Sequence, residues 1–260
     1  MLSLIDFRIP NRVGPITASV AAGQHIAIIG PNGSGKSSLL LGMAGLVRST
    51  GQLLWDHQDI RQWSMQYAAV KRAMLPQRSA QLLPITCNQV IALGAMPLNV
   101  RESSLQSAIE HVCSRLELSD YLNRDFSQLS GGEQQRVLLA KTLLQVWPEL
   151  NPHASFLLLD EPLAGLDWHH QIILLTLLNE LKRQGLTILT SIHDFNLAVA
   201  HSDVIWCLQQ GQLVFSDTVD QFNERLIEDV FCLKTIRCQA EGQALFLPWQ
   251  VSHTTHSKGD

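Results

Sequence analysis

Charge is scarce in this chain. Asp, Glu, Lys and Arg make up 16% of its 260 residues, against roughly a quarter in an average soluble domain, which points to surface covered by partners. The charges sum to −4 at neutral pH, which argues against a nucleic-acid binder, because such a protein would carry a basic face. Long apolar runs are lacking as well. Residues 39–47, interrupted by glycines, and residues 172–178 fall well short of the ~20 residues that a membrane-spanning helix needs. The N-terminus has no basic-then-apolar leader, since Asp6 and Arg8 sit inside a short alternating segment, and the chain is expected to remain in the cytosol. Cysteine supplies no framework. Cys87, Cys113, Cys207, Cys232 and Cys238 are odd in number and contain no C-x-x-C pair, which suits reduced, mostly buried thiols. The spacing of Cys232, Cys238 and the scattered histidines is wrong for the common zinc sites.

What the chain does have is a 46% hydrophobic content, enough for a substantial core. It also has a conspicuous loop, Gly30-Pro31-Asn32-Gly33-Ser34-Gly35-Lys36-Ser37, followed by Ser38. This fits G-x-x-x-x-G-K-[ST], in which glycines let backbone N–H groups curl round phosphate oxygens, a lysine adds charge and a hydroxyl ligates magnesium. The preceding residues 25–29 read as a buried strand. Leu39, Leu40, Met43, Ala44 and Val47 follow at helical spacing, so the loop leads into a helix N-terminus, where free N–H groups and the dipole favour an anion. A nucleoside triphosphate is the expected ligand.

Around this loop the remaining signals fall into order. Leu2, Leu4 and Phe7 alternate, residues 16–20 read as another short strand ahead of a turn at Gly23, Gly51 is expected to end the first helix, and residues 53–55 and 73–75 read as strands. From Arg78 to about Gln145 the signals are mainly helical, broken at Pro84, Gly94 and Pro97. There Leu105, Ala108, Ile109, Val112, Cys113 and Leu116 repeat with a period near 3.6, behind candidate caps at Ser103 and Ser104. Residues 156–159, 186–191 and 204–208 then read as strands and 172–181 as a helix. This alternation predicts an α/β fold with a mainly parallel core sheet, a small antiparallel β subdomain and a helical insert. The expected organisation is a single domain over 1–260, with a core of 1–77 and 146–260 and an insert of 78–145. A helix at 221–231, short strands near 235–237 and 244–247, and a frayed polar end complete the reading.

Two further motifs carry chemistry. Leu157-Leu158-Leu159-Asp160-Glu161 sets two carboxylates at the end of a buried strand, where open α/β sheets bind ligands. Asp160 suits magnesium, directly or through water, and Glu161 suits polarisation of a water attacking a γ-phosphate. Leu129-Ser130-Gly131-Gly132-Glu133 contains an S-x-x-E capping box whose glycines bare the first N–H groups of a helix. It reads either as an ordinary capped helix or as a second anion site. In a chain that already has a phosphate loop, the latter implies a composite site.

Phosphate loop, LSGGE, LLLDE, the following Leu166-Asp167, Gln77 ahead of the helical insert and His193 after the next strand occur in an order that resembles the ATP-binding subunits of ABC transporters. The resemblance covers nearly the whole chain. It implies a P-loop NTPase of ABC type that binds and hydrolyses ATP with Mg2+, as a head-to-tail dimer in which residues 30–38 of one copy face 130–133 of the other. It further implies that Lys36 and Ser37 bind phosphate and magnesium, Gln77 senses magnesium and the attacking water, Asp160 joins the magnesium shell, Glu161 is the catalytic base, Asp167 communicates across the dimer and His193 holds the γ-phosphate. Read alone, Gln77 is equally a polar loop residue and His193 a satisfied histidine at a strand end. One departure stands out: the family's adenine-stacking aromatic is missing from Pro10-Asn11-Arg12-Val13-Gly14, leaving Phe7, which also reads as core, or the Arg12 guanidinium plane.

The resemblance extends to partners: a transmembrane permease dimer, a periplasmic substrate-binding protein contacted indirectly, and a peripheral place on the cytoplasmic face of the inner membrane. Leu82-Leu83-Pro84-Ile85-Thr86 and Leu93-Gly94-Ala95-Met96-Pro97 fit either a groove for short permease helices or core-packed loops. The second stretch is similar to the Gly-Arg-x-Pro of iron-siderophore and cobalamin importers, with Ala95 replacing the basic residue. Val13-Gly14-Pro15-Ile16 and the segment from Leu144 to Pro152 look most like cobalamin (vitamin B12) importers; siderophore or haem import is the alternative. A soluble translation ATPase would carry two nucleotide domains in one chain, and a chromosome ATPase a long heptad-rich insertion; neither feature is present. An exporter stays open, because direction lies in the permease. A non-enzymatic nucleotide-binding regulator is disfavoured by Glu161 and His193.

Overall fold

A computed structural model describes residues 1–77, 85–240 and 242–252. Strand β1 (Leu2–Ile9) turns back as β2 (Val13–Val20), and β3 (His25–Ile29) leads through the phosphate loop into helix α1 (Lys36–Met43). Strands β4 (Thr50–Trp55) and β5 (Gln58–Asp59), helix α2 (Met65–Lys71) and strand β6 (Arg72–Leu75) follow. Three helices, α3 (Cys87–Ala92), α4 (Glu102–Arg115) and α5 (Gly131–Gln145), then precede β7 (Phe156–Leu159). The chain returns to alternation with α6 (Trp168–Arg183), β8 (Thr187–Ser191), α7 (Phe195–His201), β9 (Val204–Gln209) and β10 (Gln212–Thr218). Helix α8 (Glu224–Phe231) and the hairpin β11 (Leu233–Ala240) and β12 (Gln243–Val251) close the described chain.

The strands form three sheets. The largest has the order β10-β9-β3-β8-β7-β6; every neighbouring pair is parallel except β9 with β10. A four-stranded antiparallel sheet, β2-β1-β4-β5, lies beside it, and β11 pairs with β12 alone. This is the α/β architecture with a small antiparallel sheet that the strand–helix alternation predicts.

Side-chain alternation explains why the large sheet is buried on both faces. Ile26 and Ile28 of β3 point into a core shared with α1 and the antiparallel sheet, where Leu4, Phe7, Leu39, Met43 and Trp55 pack. Ala27 and Ile29 point the other way, into a core with Phe195, Phe222, Ile227 and Phe246. On β7 the same division sends Leu158 to the first of these cores and Leu157 and Leu159 to a third, which runs without a break into the helical insert through Val90, Val112, Val137 and Leu143. Gly42 lets α1 lie flat on β1: a Cβ there would fall 2.6 Å from Ile9 Cδ1.

Several local expectations are corrected. Helix α1 ends at Met43, and Gly45, with φ of +68°, turns the chain; Gly51 lies within β4. Val47 therefore sits beyond the helix and is exposed. Helix α4 begins one residue before the serines: Arg101 occupies the N-cap position with no side-chain capping bond, and Ser103 and Ser104 lie in its first turn. Helices α2 and α7 and strand β10 are additional to the sequence reading. Among the described residues no helix is long and apolar enough to cross a membrane. The break at Pro84 and the polar end from residue 253 lie outside the described residues.

His25 provides a pH-sensitive element at the start of β3. Its buried ring donates from Nδ1 to the His201 carbonyl at 2.8 Å and accepts at Nε2 from Thr190 Oγ1 at 2.9 Å, an arrangement that needs the neutral imidazole. Burial lowers its pKa to about 4. The unfolded chain therefore takes up a proton that the folded chain refuses, and this contribution to stability is intact above the unfolded pKa and lost as pH falls toward about 4. Urea unfolding is expected to show about 2 kcal/mol of stability lost through this group between pH 7 and pH 5. His25→Gln should flatten that slope; equal slopes in the two proteins would exclude His25 as its source.

Candidate functional site

A cleft of about 750 Å³ opens at the C-terminal end of the large sheet, lined by Asn11, Arg12, Asn32, Gly33, Gly35, Lys36, Ser37, Ser38, Gln77, Glu161 and His193. Local geometry accounts for each wall. β3 delivers the loop, and Gly30, with φ of +147°, admits no side chain because a Cβ would lie 2.1 Å from the Leu208 carbonyl oxygen. Gly35, with φ of +105°, is the N-cap of α1 and packs against Val13. The first helical residue is Lys36, only 6% exposed, whose Nζ donates to the carbonyls of Gly30 at 2.8 Å and Pro31 at 3.1 Å. Desolvation lowers its pKa, opposed by the nearby charges of Glu161 and Asp160.

Opposite the loop, β7 ends in Asp160 and Glu161. Asp160 is 2% exposed and accepts a 2.7 Å hydrogen bond at Oδ1 from the Ser191 hydroxyl; Ser191 Oγ in turn accepts from the Glu161 amide, also at 2.7 Å. One serine at the end of the adjacent strand thus fixes both carboxylate residues. Glu161 adopts φ of +50°, uncommon for a residue with a side chain, and its Oε1 lies 2.8 Å from His193 Nε2. Arg12 approaches from the other side, with Nη1 3.4 Å from Ser38 Oγ.

Phe7 is buried in the core at 1% exposure, and among the described residues no Phe, Tyr or Trp lines the cleft. Gly30, Pro31, Ser34 and Asp160 are not among the lining residues, and Asp160 is tied to Glu161 of the cleft through Ser191. Ser34 Oγ is buried with no hydrogen-bond partner.

Leu129–Glu133 does not line this cleft. Ser130 caps α5 with a complete capping box: its amide and hydroxyl donate to Glu133 Oε2 at 2.8 and 2.7 Å, and the Glu133 amide returns a bond to Ser130 Oγ at 3.4 Å. These bonds hold the Glu133 carboxyl below its ordinary range. A Cβ on Gly131 would meet nothing within 4 Å, whereas one on Gly132 would lie 2.7 Å from the Gly165 carbonyl oxygen. Gly132 is thus required by packing inside this chain, and Gly131 leaves open space over the helix end. Asp167 caps α6, accepting from the His170 amide at 2.9 Å and from His170 Nδ1 at 2.8 Å.

Ser191, and the contacts of His169 and His170 with Glu117, are additional to the sequence reading. A serine two residues before His193 at a strand end is the local signal for the first; the second joins residues far apart in the chain and has none.

The donor set suits a sparse magnesium site. Among the described residues no three His, Cys, Asp or Glu side chains form a metal cage. Ser37 and Gln77 line the cleft and the Asp160 carboxyl lies behind it, which fits a hard cation that keeps waters and takes phosphate oxygens as its other ligands.

Comparison with known proteins places this geometry among relatives. Residues 13–164 match the ABC transporter family. The chain is 37% identical over 232 residues to the vitamin B12 import ATP-binding protein BtuD of Yersinia pseudotuberculosis, covering 89% of this chain and 91% of that protein. It is 35% identical over 245 residues to BtuD of Vibrio cholerae, covering 93% and 97%. Among solved structures, a metal-chelate type ABC transporter in an inward-facing conformation superposes with a TM-score of 0.77 at 22% identity over 96% of this chain and 97% of that one. The cbiO1 protein of Clostridium perfringens, part of an ABC transporter complex, gives 0.70 at 22% over 85% and 89%.

Ser191→Ala should leave the buried Asp160 carboxylate without its hydroxyl donor and the Glu161 amide without its acceptor. A loss of about 1–3 kcal/mol in urea unfolding is expected. An unchanged midpoint and slope would show that the hydroxyl does not hold this end of the sheet.

Proposed function

The chain belongs to the ABC transporter family, and from that membership we propose that it is the ATP-hydrolysing subunit of a bacterial importer whose transported substrate is cobalamin (vitamin B12). The observation that carries the reading is the division of labour on one chain. Lys36, Ser37, Gln77, Glu161 and His193 converge on a single cleft, while the capped N-terminus of α5 stands apart from it with open space over Gly131. A second copy turned head to tail supplies that helix end to the cleft. The similarity to the BtuD proteins over most of both chains supports cobalamin as the cargo.

In this reading the amides of residues 30–38 and the Lys36 ammonium bind the β- and γ-phosphates of ATP. Ser37, Gln77 and Asp160 would hold magnesium, which when bound neutralises developing charge on the phosphate oxygens. Glu161 takes a proton from the attacking water as its oxygen bonds to the γ-phosphorus and the bond to the β-phosphate oxygen breaks, giving ADP and phosphate. His193 steadies Glu161 by donating from Nε2 and holds the γ-phosphate beside it. Asp167 communicates across the dimer. Arg12 and Asn11, on the cleft wall, take the place of an aromatic platform for the base.

Work is passed to a transmembrane permease dimer at the cytoplasmic face of the inner membrane, with a periplasmic binding protein engaged indirectly. Residues 93–97 support a permease contact. Gly94 is needed where a Cβ would lie 2.0 Å from the Lys141 carbonyl oxygen of α5, and the adjoining Met96 is 76% exposed. The companion stretch, residues 82–86, falls largely outside the described residues.

Glu161→Gln should lower kcat for ATP by about 100-fold or more while the protein still binds ATP. Co-expression with a cobalamin permease in lipid, together with its loaded binding protein, should stimulate the unsubstituted chain. Full activity in Glu161→Gln would remove the assigned base. Stimulation by a siderophore permease but not by a cobalamin one would reassign the cargo.

A further inference from the structure

Helix α5 touches the loop that follows the catalytic strand at two points: Gly132 abuts the Gly165 carbonyl, and Gln135 Nε2 lies 3.5 Å from the Pro162 carbonyl oxygen. Farther along α5, the Arg136 guanidinium donates to the carbonyls of Leu116 and Glu117, both at 3.1 Å, just past the end of α4. The Glu117 carboxylate then reaches across to α6. Its Oε1 lies 3.0 Å from His169 Nε2 and its Oε2 3.5 Å from His170 Nε2. His170 closes the chain of contacts through Nδ1, 2.8 Å from Asp167 Oδ1. The segment from Glu161 to Asp167 is therefore met by α5 at Pro162 and Gly165 and held by His170 at its far end.

His170 faces a carboxylate at each ring nitrogen. Both carboxyls are held below their ordinary range, Glu117 first by the His169 hydrogen bond and Asp167 first by the His170 amide. A neutral imidazole carries one N–H and can serve only one of the two; the imidazolium serves both. The charged groups around the ring are Asp167 and His169 on its own helix, Glu117 behind α4 and Arg136 on α5. A second ion pair between α4 and α6, Arg115 with Glu180 at 2.7 Å, tethers the same two helices.

We propose that His170, bridging Asp167 and Glu117, is a positioning residue that sets the loop carrying Glu161 relative to the capped helix α5. The proposal rests on the ATPase reading above and on side chains that reading leaves without a role. His170 is 18% exposed on its side chain and Glu117 50%, so the bridge is modest in strength. Its effect is expected on turnover rather than on nucleotide affinity.

The test compares kcat and KM for ATP of the full chain, assembled with its permease, beside the unfolding midpoint of each protein. Four proteins are measured: unsubstituted, His170→Gln, Glu117→Gln and the double variant. His170→Gln should lower kcat about five-fold, with KM within about two-fold. Glu117→Gln should give the same trend, and the double variant should be no worse than either single one, because coupled residues do not add. An unchanged kcat, or additive losses, would overturn the proposal even if unfolding midpoints fell, since a purely structural role moves stability without a selective loss of turnover. Absence of ATP hydrolysis in the unsubstituted assembly would overturn the ATPase reading itself.

Discussion

A buried ammonium group at the positive end of a helix has to be answered by an anion. Lys36 is the first residue of α1 and is almost wholly enclosed, with the helix dipole and the loop amides adding positive potential around it. The carbonyls of Gly30 and Pro31 satisfy its hydrogens without neutralising it. Asp160 and Glu161 contribute attraction from across the cleft. Much of the surrounding architecture keeps this concentration of charge in place. α1 is packed between two sheets, Gly30 is pressed against β9, and Ser191 pins the facing carboxylates from β8.

How much of this was legible depended on whether a feature is written locally. β3 and β7 were readable because continuous apolar runs leave few alternatives, and the Ser130–Glu133 box because both halves of a cap lie within one turn. The end of α1 was misread because helical spacing continues through Ala44 to Val47, while the turn comes from the backbone of Gly45. Ser103 and Ser104 are good capping residues that the chain does not use, since the helix has already begun at Glu102. Strand β10 escaped because its exposed edge carries polar residues. The Ser191 bridge and the Glu117 contacts could not be read at all: their partners are 30 and more than 50 residues away in sequence, and only the folded sheet and the packing of α4 on α6 bring them together.

The helical insert is joined to the rest of the molecule through a continuous hydrophobic core and a small number of polar ties. Leu157 and Leu159 of β7 share that core with Val137 and Leu143 of α5. Gln145 Nε2 donates to the carbonyls of Ala69 and Arg72 at 2.7 and 3.0 Å, and Asn151 Nδ2 to that of Val70 at 2.7 Å. These bonds satisfy backbone oxygens where β6 begins, at the edge of the sheet, so the end of α5 and the entry to β6 are built as one piece.

The capping box on α5 also bears on selectivity. Because Glu133 already accepts from the Ser130 amide and hydroxyl, the helix end is partly satisfied before any ligand arrives, and a stray chloride or free phosphate gains little by displacing that carboxylate. In the dimer proposed above, a polyphosphate anchored in the partner's cleft would meet the same end at a high effective concentration and compete where a dilute ion cannot. A modest intrachain hydrogen bond thus acts as a threshold, one that only an already tethered anion is placed to cross.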